Sequence, residues 1–212
     1  MFVSRHRITL LSLALSVAAP VLAHAESWDI DSSHSRAQFA VRHLMISNVR
    51  GDLGKVTGTI NWDAKNPAAA AVNATVDVAG VNTQDPKRDE HLRSPDFFDT
   101  AKYPTITFKS KRVEKAGGKL KLVGDLTLHG VTKEVALDVE GPTAEIKDPW
   151  GLIRAGANAT GKISRKDFGL SWNKTLDTGG VAVGDEVAVT LDIELVRKPA
   201  GAAPAAPPKA GK

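Results

Sequence analysis

The chain has 212 residues, 28 Lys and Arg against 24 Asp and Glu, and no cysteine. Without cysteine it holds no disulfide, so stability must come from a core or a closed sheet. The excess of positive charge lies at the two ends, in Arg5, Arg7, Lys209 and Lys212, so the body is neutral; with no basic stripe among aromatics, nucleic-acid binding is excluded as a main function.

Arg5 and Arg7 precede an apolar run at 8–19, and Ala23-His24-Ala25 gives small residues two apart. This is the pattern of a cleaved export signal over 1–25. The run is shorter than the ~20 residues a membrane span needs, and without paired arginines the expected route is general secretion. The expected mature chain begins at Glu26 in a Gram-negative periplasm, freely soluble and without stable membrane insertion. One domain over 26–198 follows. The remainder, 199–212, contains only Ala, Pro, Gly and Lys and is expected to be disordered.

Within the domain, apolar residues recur at every second position in eight segments: 34–43, 53–62, 70–78, 104–113, 119–128, 131–140, 153–163 and 186–196. Period two means strands with one dry and one wet face. Gly117-Gly118 and His129-Gly130 read as tight hairpin turns that force antiparallel neighbours. The fold class is therefore all-β, an eight-stranded antiparallel barrel with a dry interior. Inward candidates are Phe39 and Val41, then Val56, Ile60 and Trp62, then Val72, Ala74, Val76 and Val78, then Ile106 and Phe108. Ala155, Ala157, Ala159 and Gly161 share one face, and Gly58, Ala74 and Gly124 lie on others. Small inward residues leave room for a ligand, unless a bulky side chain from across the barrel fills the space.

The rhythm breaks at 85–100. Asp85-Pro86 and Ser94-Pro95 each read as a helix start, giving two short helical turns across one barrel end between strands three and four. At least one of Phe97 and Phe98 should point into the barrel.

His34, His43, His91 and His129 do not cluster: His34 and His43 lie nine apart on one expected strand and face opposite ways. No HExxH, CxxC or carboxylate cluster appears, so neither a metal nor a cofactor is expected. A GxSxG elbow and a phosphate loop are absent too. The charged stretch Arg88, Asp89, Glu90, His91 and Arg93 either binds a polar head group or is a solvated helix face.

Four motifs resemble the YceI-like family: HLRSPDFFDTAKYPTITFKS (91–110), GDLTLHGVTKEVAL (124–137), DPWG…RAG…ATGKISRKDFGL (148–170) and W-x-I-D-x-x-H-S (28–35). The resemblance spans nearly the whole domain. It implies an exported bacterial protein with an extended, lipocalin-like barrel that binds a polyisoprenoid or other long-chain amphiphile without catalysis. The expected tail contacts are Phe39, Val41, Val56, Ile60, Phe97, Phe98, Ile106, Phe108, Ala157, Ala159, Phe168 and Trp172, with His91, Arg93 and Asn173 at the head group. The expected partner is an isoprenoid quinone, its precursor or a similar lipid; a homodimer is left open. Two other functions compete: a packed periplasmic stress or interaction protein without a cavity, and a lipid-modifying enzyme using His91 and Asp89.

Overall fold

The computed structural model describes residues 26–63, 66–177 and 179–199. The expected export signal and the tail from residue 200 onward lie outside the described residues. Ten strands form one antiparallel sheet: β1 (Glu26–Ile30), β2 (Arg36–His43), β3 (Ser47–Trp62), β4 (Ala71–Asp77), β5 (Thr105–Ala116), β6 (Lys119–Leu128), β7 (Val131–Glu140), β8 (Ile146–Lys147), β9 (Ile153–Ser164) and β10 (Val183–Arg197). Among the described residues one α-helix, α1 (Pro86–Arg93), lies between β4 and β5, after a 3-10 turn at Val78–Gly80.

Strand β9 pairs with both β10 and β7, which closes β10, β2, β3, β4, β5, β6, β7 and β9 into an eight-membered ring. The two strands outside the ring continue lanes that it already contains. β1 lies between β10 and β3, pairing Trp28 with Arg197 and Ile60, and β2 resumes the same lane at Ala37 opposite Leu191 and Gly54. β8 likewise continues the lane of β7 along β9. At each break the chain leaves the sheet, at 31–35 and at 141–145. The Arg154 guanidinium ties the first break to the β8–β9 turn: Nε donates to Asp148 Oδ2 at 2.6 Å, and Nη1 to Asp31 Oδ2 at 2.7 Å and to Glu194.

The alternation produces these strands directly. Along β10, Val187, Val189, Leu191, Ile193 and Leu195 face inward and line the interior. The two expected hairpins form, with φ of 58° and 82° at Gly117 and Gly118, and of 51° and 75° at His129 and Gly130; a two-residue turn with both φ positive matches the strand twist. Asp85 caps α1, accepting from the backbone N–H of Lys87 and Arg88, with Pro86 in the first turn where its missing N–H costs nothing.

Three expectations need correction. The first strand starts at Arg36 rather than 34; His34 sits in a turn held by Asp31, so it shares no strand with His43. β3 begins six residues before the expected 53, because pairing with β2 recruits Ser47–Asp52, whose polar and glycine content carries no alternation. Ser94-Pro95 starts no second helix. Ser94 ends α1 in extended conformation, as a residue before proline prefers, and residues 95–98 form a turn in which Phe98 N–H donates to Leu92 O at 2.9 Å.

Candidate functional site

The barrel encloses a cavity of about 260 Å³. All residues lining it are apolar except Asn158 and Arg165. Along three strands a buried inward side chain gives way to half-buried ones farther from α1. Val76 in β4 is buried while Ala74 and Val72 are half-buried; Val56 in β3 is buried while Ile60 and Trp62 are half-buried; Leu128 in β6 is buried while Leu126, Leu122 and Leu120 are half-buried. The interior is a cup. Its floor lies at the α1 end, and its mouth at the other end is rimmed by Pro67 and Ala70 before β4, Leu120 in β6 and Pro142 after β7.

Small residues make the room, though unequally. Ala74, Ala157 and Ala159 line the cavity. At Gly124 a Cβ would fall 2.6 Å from the Phe108 ring, and at Gly161 one would fall 2.6 Å from Leu137 Cδ2. Neighbouring side chains therefore fill the space over these two glycines, while the alanines keep theirs open.

The floor is built by three cationic or amide side chains that bond to backbone carbonyls. Arg165, 4% exposed, donates from Nε to Gly184 O (2.9 Å) and from Nη1 to Leu170 O (2.5 Å) and Trp172 O (2.9 Å), and it lies 3.3 Å from Asp185. Burial pushes its pKa down against the Asp185 charge. Arg93 donates to Ala79 O and Val81 O. Asn173 bridges strand β10, giving a hydrogen bond to Val183 O (2.7 Å) and taking one from Val183 N–H (3.0 Å).

These contacts decide where the expected site residues stand. Phe39, Val41, Val56, Ile60, Phe97, Phe98, Ile106, Phe108, Ala157 and Ala159 line the cavity. Phe168 and Trp172 do not: Phe168 is fully buried in the packing at the α1 end, and Trp172 stacks against His91 (4.9 Å) and Phe97 (5.2 Å) behind the floor. The three expected head-group residues are not in the lining either. They sit at the closed end, where Arg93 and Asn173 hold backbone and His91 Nε2 bonds to Asp96 Oδ2 at 2.9 Å. Asp89 accepts from Thr83 N–H and Oγ1 (2.8 and 2.5 Å), so neither His91 nor Asp89 is bonded to the other. Sequence reasoning missed Leu92 and Arg165 in the lining. Leu92, the one apolar residue in the charged turns of α1, carried a signal, whereas Arg165 carried none.

Outside the barrel, Asp31, His34 and Glu194 bring ligand atoms within 4.8 Å of one another. Arg154 lies among them and pairs with both carboxylates, so the cluster is an ion-pair network. The guanidinium and then His34 hold the Asp31 carboxyl well below the usual range, and Asp31 and Glu194 raise the His34 imidazole above its ordinary value. Two indole N–H groups near the mouth, Trp28 Nε1 and Trp62 Nε1, are buried without a hydrogen-bond partner among the described residues, and Trp62 lines the cavity.

A family model described as YceI-like domain matches residues 28–195. Protein YceI of Escherichia coli O157:H7 is 44% identical over 191 residues, which cover 90% of this chain and 96% of that one. The crystal structure of Burkholderia cenocepacia BcnA superposes with a TM-score of 0.65 at 23% identity, covering 78% of this chain and 98% of that one. A polyisoprenoid binding domain from Saccharophagus degradans superposes with a TM-score of 0.59 at 18% identity, covering 82% and 99%. At these identities the two structures show the shared barrel fold. Because the matched stretch reaches from β1 to β10 and so takes in every strand of the ring, the chain belongs to the family of YceI-like domains.

Proposed function

We propose that this protein is a non-catalytic lipid-binding protein of the periplasm, a carrier or reservoir that holds the tail of a polyisoprenoid, isoprenoid quinone or quinone precursor in the barrel. The observation that carries this reading is an open cup whose wall offers almost nothing but hydrocarbon. The polyisoprenoid-binding domain of the same fold supports it. A tail gains ~0.8 kcal/mol for each methylene moved out of water. About ten methylenes yield roughly 8 kcal/mol, less several kcal/mol for association, so affinity needs no strong polar contact. The tail points down to Phe97, Phe98 and Leu92 at the floor, and the head stays at the mouth near Trp62 and Pro142. This orientation reverses the expected one, since the polar groups at the floor are already bonded to backbone.

The test is mass spectrometry of lipid extracted from protein purified out of its native host, paired with titration of the delipidated protein with N-phenyl-1-naphthylamine. One long-chain lipid and one saturable probe site, displaced by that lipid, are expected. No lipid and no saturable site would favour the packed interaction protein, and conversion of the lipid during incubation would favour the enzyme. Ala157→Phe, which projects a ring into the cavity, should abolish probe binding in a barrel that still folds.

A further inference from the structure

The β8–β9 hairpin exposes an apolar cluster that the lipid cup does not account for. Trp150 is 82% exposed, Ile146 61% and Leu152 44%. Exposing one such residue is ordinary, but three on one hairpin mark an interaction surface. The hairpin is held firmly. Asp148 Oδ1 accepts from the backbone N–H of Trp150 (2.9 Å) and of Leu152 (2.8 Å), while Oδ2 accepts from Arg154 Nε. Gly151, at φ +89°, completes the tip in a conformation that other residues rarely adopt. Arg154 in turn is tied to Asp31 and Glu194 on the barrel body. The indole is thus presented to solvent by a braced tip.

Its position sets it apart from the other exposed apolar tip. Pro142 rims the mouth just before β8, and Ala157 of β9 lines the cavity. On β9 the wall reaches the level of Ala155, whose partner Leu195 lines the cavity, and the tip lies past the start of the strand at Ile153. Leu44, Met45 and Ile46 are also exposed, but they lie in the β2–β3 turn at the closed end. Around the mouth stand Lys115 and Lys119 of the β5–β6 hairpin and Lys147 beside the tip; Lys119 also acts at a distance on the Asp138 carboxylate.

We propose that the Trp150 hairpin docks the open mouth of the barrel onto an anionic lipid bilayer, the indole and Leu152 entering the interface while Lys115, Lys119 and Lys147 face lipid phosphates. Tryptophan favours the headgroup region because its ring is apolar and its N–H polar. A basic side chain near an anionic surface is drawn to it electrostatically. Docking at the mouth gives a tail a path from bilayer to cup that never crosses water. The proposal deepens the carrier reading by naming where cargo is exchanged, but the docking itself needs no cargo.

The test is co-sedimentation of the delipidated full chain with vesicles of phosphatidylethanolamine and phosphatidylglycerol, with phosphatidylcholine vesicles for comparison. Binding to the anionic vesicles is expected, with a blue shift of tryptophan emission and quenching by brominated lipid. Trp150→Ser should bind those vesicles about tenfold more weakly, a change equal to ~1.4 kcal/mol, and Lys147→Glu should also weaken binding. Ile46→Ser, at the closed end, should bind like the parent. Equal binding of Trp150→Ser and the parent, or no binding by the parent, overturns docking. So does sedimentation showing that the Trp150 surface instead joins two copies without vesicles. Titration with N-phenyl-1-naphthylamine separates the two readings: Trp150→Ser retains a saturable site if the cup stands, whatever the vesicles show.

Discussion

The two ends of the barrel carry similar raw materials and use them in opposite ways. At the α1 end, cationic and amide side chains turn inward: Arg165, Arg93 and Asn173 bond to carbonyls and fasten connecting segments across the opening. At the other end, charge stays at the rim, Arg154 bracing the two broken lanes from outside, and inward residues of β3, β4 and β6 remain half-buried while Ile30 and Leu195 are buried. Even the apolar hairpin tips differ in setting, one over a packed floor and one beside a mouth. A closed sheet is symmetric in principle. What makes it a cup is which end supplies its loose carbonyls with donors.

This contrast is open to direct attack. The largest effect should come from Phe168→Ala, which empties a fully buried site at the floor and should cost about 3–5 kcal/mol in urea unfolding. Leu120→Ala, at the half-exposed rim, should cost about 1 kcal/mol. Equal losses would mean that the mouth is as tightly packed as the floor. A finer comparison uses two alanines on one face of β9. Ala155 is buried in the core opposite Leu195, and Ala155→Phe should destabilise by about 1–3 kcal/mol through overpacking. Ala157→Phe should cost less than that and instead lose the probe site, because its ring enters open space.

The smallest effect concerns the brace. His34 titrates above its ordinary 6.5 because it bonds Asp31 and faces Glu194. A raised folded-state value contributes stability that is complete below pH 6.5 and disappears as pH rises through the folded value. Asp31 is depressed, so its contribution is present above its ordinary 3.8 and lost only as pH falls through a much lower folded value. His34→Asn should therefore flatten the fall in Tm just above pH 6.5 and leave probe binding unchanged. The effect is slight because the His34 side chain is 60% exposed and well screened.

Much of the fold was legible because period-two alternation is local. The spans of β6 and β7 match the sequence reading at both ends, and both glycine-containing turns fall where expected. Ten of the twelve expected wall positions line the cavity; eight of these lie on strands, where parity fixes the face of every side chain, while Phe97 and Phe98 lie in the turn after α1. Strand β1 was missed because five residues are too few to show a period, and β8 because two residues show none. Both exist through their neighbours' free hydrogen-bonding edges. The residues off the strands fared worst. Trp172 and Asn173 follow β9 in an irregular segment with no period to read, and only tertiary contacts place them behind the floor.

The amino-acid order alone thus determined an all-β chain with a dry face, its main turns and the small residues on that face, because each rests on residues a few positions apart. Which end of the barrel opens was settled only in three dimensions. That depends on where the Arg165, Arg93 and Asn173 side chains find backbone carbonyls five or more residues away in the chain, and no local pattern encodes such meetings.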